Sequence, residues 1–442
     1  MITLQPASAQ PKANLKGLAL GLVNRVRSGQ KSKATAYYAG SSLICQGLRF
    51  CGVVVSTARL QPDQFGIFAT SMMVLGLAGL AREFGQNSAL LSWTGAQSGY
   101  VRTHFVLTLS SSAASMLVTL VAALSIPALH DLRAFWPLLI VQIFFDALSS
   151  TPMVVAHKRF AFKELAIIEI STVSSWLLIT ITAVWLYPFA VALLIAKVGE
   201  TAIRGTLLFV WQYRRIMDGK ATAATYRYYF RFAKLLAPKA WVETFGGNLD
   251  VLLLRIFTNN FEIGVFDRTN QLLRVPLSLS VNLVDAVAGA AYSQEQGDPT
   301  LVNRTLRKFG WLILSGSLFG VFLVQVFLWI LAGPFFGANW KHSIEGIWGW
   351  AIPFAVLRPF FWNYNLYFNA TGRPGKLLSS LSLATFLFLG SGLAAIPIFG
   401  VPGLFVALAA TNAVALVFQI RWAGQSDNKA ENRTQRREGA KI

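Results

Sequence analysis

The stretch RIFTNNFEIGVFDRTNQLLRVPLSL, Arg255–Leu279, ends one apolar run, turns through a few polar residues and opens a second run that holds Asp267, Arg268 and Arg274. Two apolar runs joined by so short a turn read as a helical hairpin. A charge near the centre of a membrane span costs at least about 2.5–3.5 kcal/mol on insertion scales, so three of them in one span need a reason. The same arrangement, an Arg, a short polar turn and then Gly-[Ile/Val]-Phe, occurs in RLQPDQFGIF, Arg59–Phe68.

Hydrophobic residues make up 54% of the 442 and charged residues only 13%, with positive mean hydropathy. That balance excludes a soluble domain of this size and indicates a polytopic membrane protein. Apolar stretches long enough for a bilayer core about 30 Å thick recur along the chain, about twelve in all. They are expected near 37–58, 65–88, 103–126, 134–156, 165–187, 189–211, 231–256, 263–287, 309–333, 346–370, 375–397 and 399–421. The basic connection QYRRIMDGKATAATYRYYFRF divides them into two halves of six, and the two copies of the Arg-turn-Gly motif then fall at the same hairpin of each half. An even number of spans gives both halves one orientation, related by an axis along the membrane normal. The organisation expected is a basic cytoplasmic segment at 1–35, an N-terminal lobe at 36–211, a basic linker at 212–230, a C-terminal lobe at 231–421 and a disordered cytoplasmic tail at 422–442.

The net charge of +20 suggests nucleic acid only until its placement is considered. In connections on the far side of the membrane from the N-terminus, Lys and Arg number only Arg59, Arg133 and Lys341. By the positive-inside rule both termini are cytoplasmic. The 1–35 segment lacks a cleavage pattern and reads as a basic interfacial helix rather than a signal peptide. Cys45 and Cys51 fall in one span on different helix faces, which predicts neither a disulfide nor a metal site.

Cations inside the spans are the informative minority: Arg49, Arg82, Lys197, Arg204, Lys239, Arg255, Arg268, Arg274 and Arg358. At about 100° per residue, Asp267, Asn270, Gln271, Arg274, Ser278, Asn282 and Asp285 share one helix face, with Arg268 off it near the outer end. Lys239, Glu243, Gly246 and Asp250 form a second stripe; Arg358, Trp362, Asn365 and Asn369 a third; Lys197, Glu200, Thr201 and Arg204 a fourth. Arg49 stands near mid-depth with Gln46 a turn before it.

Packing alone would be served by pairing Glu200 with Arg204 at i,i+4 and Glu243 with Arg274 across a hairpin. Mid-depth cations outnumber the acids, however, and the Asn, Gln and Ser residues need no such pairing. A water-filled, net-positive cavity accounts for both, suited to an anionic cargo such as a diphosphate carrying sugars. Arg49, Arg274 and Arg358 are expected to hold the diphosphate, and Lys239 to attract it at the cytoplasmic mouth. Gln271, Trp362 and Asn365 complete the lining, with Trp362 available to a sugar ring, although Trp362, Tyr364 and Tyr367 also suit interfacial anchoring. Glu200, Arg204, Glu243, Asp250, Asp267 and Asp285 are expected to serve charge pairing or coupling, with Glu243, Asp250, Asp267 and Asp285 pairing with these cations or competing for them.

No GxxxxGK[ST] loop, HExxH or Cys/His cluster is present, and His104, His130, His157 and His342 lie near span ends. Neither ATP hydrolysis nor a zinc site has residues to carry it, and no cofactor is expected.

ARLQPDQFGIFATSMMVLGLAGLAREFGQNSALL resembles the second-helix signature of bacterial polysaccharide exporters. DALSSTPMVVAHKRFAFKELAIIEISTVSS, Asp146–Ser175, resembles their link between helices 4 and 5, and NLDVLLLRIFTNNFEIGVFDRTNQLLRVPLSL their helix 7–8 hairpin. The chain is thus identified as similar to the Wzx-type lipid-linked oligosaccharide flippases of the multidrug/oligosaccharidyl-lipid/polysaccharide exporter superfamily. The resemblance implies a V-shaped, two-lobed, all-α fold in the bacterial inner membrane. It also implies alternating access, with undecaprenyl-diphosphate-linked repeat units as cargo, the pathway's polymerase and chain-length regulator as candidate partners, a monomer, and no enzyme activity. At REFGQN, Arg82–Asn87, and at Asp250-Val251 the chain departs from the family pattern, so no family role passes to Arg82 or Val251.

Three rival readings remain open on sequence. A cation-coupled multidrug antiporter of the same fold would need dominant buried acids. A polymerase or ligase would need a sizeable outer loop, whereas the outer connections near 127–133 and 334–345 are short. A non-transporting membrane subunit of a polysaccharide assembly complex is the third.

Overall fold

The computed structural model describes residues 30–82, 84–93, 98–159, 161–294 and 299–439; the side chains of 275–287 and 425–439 are among those within these ranges that it does not describe. The 1–29 part of the N-terminal segment and the side chains of Ser278, Asn282 and Asp285 therefore lie outside the described residues.

Among the described residues the chain is helical throughout, without a strand. Seven stretches of the described residues are long and apolar enough to cross a membrane, which makes this an all-helical, multi-pass membrane protein. They lie on α1 (Gln30–Arg59), α2 (Pro62–Ala78), α4 (Ser98–Ser125), α5 (Trp136–Lys158), α6 (Phe162–Leu186), α11 (Pro299–Phe327) and α13 (Pro374–Gly439), with the short α3 (Gln86–Ser92) between α2 and α4. The apolar stretch of α13 reverses at Gly400, whose φ of 59° suits only glycine without strain. Ser391 meets Thr411 at 3.5 Å and Gln419 meets Ser380 at 2.7 Å. Both pairs are centred on Gly400 to within a residue, so the two arms run antiparallel.

Four further helical segments carry charges within the spans: α7 (Ala190–Met217), α8 (Ala223–Gly246) continued by α9 (Leu249–Phe257), α10 (Asn260–Gln294) and α12 (Gly333–Ala370). These carry Lys197, Glu200, Asp250, Asp267, Arg274 and Arg358. These six side chains face inward.

Three boundaries differ from expectation. The span expected at 65–88 stops at Ala78, followed by a tight turn at Gly79–Ala81 and then Gly85 at φ 75°, which a helix cannot continue through. The span at 231–256 is broken at Gly247-Asn248, where adjacent glycines, Gly246 and Gly247, remove side-chain support. The tail expected to be disordered continues the helix of α13 to Gly439; its Glu, Gln, Lys, Arg and Ala content favours helix once an apolar helix has nucleated it.

Helices α1, α4, α5, α6 and α7 pack mainly on one another, and α10 to α13 do likewise; α2 crosses from the first set to lie along α10. Their crossing is backbone against backbone. A Cβ added at Gly66 would run into Asn260, and one added at Gly264 into Pro62. Each glycine meets the residue four places before the other, so the contact is reciprocal. These are the glycines shared by the two Arg-turn-Gly motifs.

Around this crossing, Trp340 Nε1 donates to the Leu60 carbonyl at 2.9 Å and the Ala190 N–H donates to Gln64 Oε1 at 2.8 Å. Asp131 Oδ2 accepts from Arg255 Nη2 and from Asn260 Nδ2, both at 3.0 Å. At the opposite end α8 leans on the N-terminal helices. Trp241 Nε1 donates to the Leu80 carbonyl, Tyr228 Oη to that of Ala89 and Tyr229 Oη to that of Tyr100, each at 3.0 Å.

Candidate functional site

Between the two sets of helices lies a cavity of about 870 Å³, near the top of the range of roughly 300–1,000 Å³ usual for small-molecule sites. Helical spacing explains its lining. Gln46, Arg49, Val53 and Ser56 recur at three and four residues on α1, as do Lys197 and Glu200 on α7, Asp267, Asn270, Gln271 and Arg274 on α10, and Arg358 and Trp362 on α12. Among the described lining residues, the cations Arg49, Lys197, Arg268, Arg274 and Arg358 outnumber the carboxylates Glu200, Asp250 and Asp267, for a formal charge of +2.

These charges are not equivalent. Glu200 is fully buried and both its oxygens are taken, Oε1 by Arg49 Nη2 at 2.6 Å and Oε2 by Lys197 Nζ at 2.8 Å. Asp267 Oδ2 is held by Arg268 Nη2 and by Gln271 Nε2, each at 2.9 Å. Arg274 and Arg358 have no ion-pair partner within 4.0 Å among the described residues. They are close enough to act electrostatically on each other and on Asp250, whose own oxygen accepts the Val251 N–H at 2.8 Å. Arg358 Cζ is 5.7 Å from the ring of Trp362, itself 46% exposed. Two guanidiniums free of ion pairs among the described residues offer a dianion several donors at once.

Several expected site residues are placed elsewhere. Lys239 is outside the cavity and pairs with Glu243 at 3.5 Å, one helical turn away, so Glu243 does not face Arg274. Glu243 instead lines a separate hollow of about 310 Å³ with Arg82. Arg204 does not pair with Glu200; it reaches Asp146 on α5 at 3.1 Å because Glu200 turns toward α1. Asn365 is buried, its Oδ1 accepting from Ser380 at 3.1 Å and from Gln419 at 3.0 Å. Tyr367 is fully buried in the core, so it neither anchors at an interface nor meets a sugar.

Arg268 is a correction in the opposite direction. Expected off the polar face near the outer end, it is 3% exposed, lines the cavity and sets its guanidinium 3.8 Å from the ring of Phe65 on α2. Helix periodicity places it off the polar stripe correctly but cannot show that α2 covers that face. Trp176 on α6 also lines the cavity, and no polar spacing in its apolar helix marks it.

A family model described as "Polysaccharide biosynthesis protein" matches residues 57–345. No curated protein matches the chain. Among solved structures, it is similar to the lipid II flippase MurJ in an inward closed conformation, at 12% identity and TM-score 0.70, over 88% of this chain and 87% of that one. An inward-facing multidrug resistance MATE family transporter of the MOP superfamily aligns at 16% identity and TM-score 0.63, over 88% and 96%. A MOP superfamily transporter from Pyrococcus furiosus aligns at 13% identity and TM-score 0.61, over 92% and 98%. At such identities the likeness is one of fold.

Proposed function

The chain belongs to the polysaccharide biosynthesis protein family, and from that premise we propose that it is a flippase. Its cargo is an undecaprenyl-diphosphate-linked oligosaccharide, carried from the cytoplasmic to the outer leaflet of the bacterial inner membrane. On this reading it is a transporter and not an enzyme, working by alternating access of two six-helix lobes. The seven apolar stretches, one of them folded at Gly400, together with the four charged segments, support the twelve-helix count. The reciprocal Gly66–Gly264 crossing supports a pseudo-two-fold axis between the lobes.

The observation that carries the reading is the pair Arg274 and Arg358, without an ion-pair partner within 4.0 Å among the described residues, facing a net-positive cavity with Trp362 beside them. A diphosphate supplies the charge that this pair lacks. A cationic drug would meet repulsion there, and Asp250 alone does not reverse the sign. With both termini cytoplasmic, the α2–α10 crossing closes the outer end of the cavity.

The test is deletion of the pair's charge in the producing cell. R274A and R358A are expected to abolish surface polysaccharide while leaving the protein in the membrane at normal abundance. Normal polymer from both variants overturns the proposal.

A further inference from the structure

Trp176 belongs to an apolar helix, yet its indole lines the polar cavity. It reaches that position by crossing α1 at Gly52: a Cβ there would overlap the far edge of the ring. One turn before Gly52, Arg49 sets its Cζ 5.8 Å from the ring centroid. Arg49 and Lys197 are 32% and 27% exposed, and each spends one donor on Glu200 while keeping others free for the cavity.

This N-terminal wall differs chemically from the opposite one. Its carboxylate is saturated by two cations held rigidly in place, so a diphosphate docking there would have to compete with Glu200 for them. What the wall offers freely is a flat aromatic face beside several fixed N–H donors, a combination that suits a ring with one apolar face and a rim of hydroxyls.

Resting on the flippase reading above, we infer that this wall is a saccharide subsite, with Trp176 as its stacking platform and Arg49 and Lys197 as donors to sugar hydroxyls. The cargo then spans the cavity, its diphosphate on Arg274 and Arg358 and its sugar on Trp176. Binding of one molecule therefore touches both sets of helices.

The experiment uses the full-length protein in lipid nanodiscs and two probes: synthetic undecaprenyl diphosphate, and the undecaprenyl-diphosphate-linked saccharide extracted from the producing cell. W176L keeps an apolar side chain but removes the π face. It is expected to bind the saccharide lipid about tenfold more weakly and undecaprenyl diphosphate as the wild type does. W176F, which keeps a flat ring, stays within about twofold of wild type on both. If W176L does not fold, G52A displaces the indole without removing it and is expected to give the same selective loss. Equal weakening of both probes, or no weakening of the saccharide lipid, overturns the subsite. R274A and R358A separate this from the underlying reading: they must weaken undecaprenyl diphosphate itself, and their failure to do so sinks the diphosphate seat whatever W176L does.

Discussion

Arg49 donates to Glu200 across 2.6 Å although the two lie 151 positions apart in the chain. The bond ties α1 to α7 at the wall of the cavity, and Lys197 closes the other side of the carboxylate.

Removing that carboxylate leaves two half-buried cations facing each other. Breaking a buried pair costs about 3–5 kcal/mol, reduced here because both cations are partly open to the cavity, so E200A is expected to destabilise by about 1–3 kcal/mol. Thermal unfolding in detergent measures it. A midpoint unchanged from wild type would show that the triad holds nothing together.

Arg274 and Arg358 are assigned a bidentate task that a point charge performs poorly. R274K and R358K are expected to keep measurable undecaprenyl diphosphate binding but to lose about 1–2 kcal/mol of it each, between wild type and alanine. Titration with the diphosphate lipid ranks the three side chains. Lysine matching arginine would reduce the seat to simple charge attraction.

The α2–α10 crossing allows no side chain at Gly66 or Gly264. G66A and G264A are expected to wedge the outer end open. In a background without native cysteines, Q271C should resist a membrane-impermeant thiol reagent added outside, and should become labelled when either alanine is present. Protection persisting in both double variants would place the seal elsewhere.

Asp131 lies outside the spans, and hydrogen bonds from Asn260 and Arg255 hold its carboxyl below the usual aspartate range. A depressed folded pKa means that the contribution is present above the unfolded value and lost as pH falls through the folded one. D131N is therefore expected to be less stable than wild type at neutral pH. The difference should close only on acidification below about pH 4. A gap that closes between pH 5 and 7 would assign the effect to another group.

Much of this architecture is legible in residues. Apolar length marks most helices, and the stripes through Arg49, Gln271, Arg274, Arg358 and Trp362 reach one cavity because helical periodicity fixes which residues share a face. Partner choice is not legible in the same way. Glu200 was equally placed for Arg204 by spacing, and only the approach of α1 decides for Arg49. Arg268 and Trp176 escape for a related reason: one is covered by Phe65 from another helix, and the other reaches the cavity only because Gly52 stands in its path. Asn365 shows the converse, a stripe residue captured by Ser380 and Gln419 before it meets the cavity.

The reciprocity of the Gly66–Gly264 contact has a consequence for symmetry. A surface on which each partner presents the same residue to the same place on the other is self-complementary. Gly66 lies four residues after Pro62 and Gly264 four after Asn260, so each helix offers its partner the same surface. Any side chain added at either glycine therefore strikes the other helix at the equivalent place, so the two positions are constrained as one.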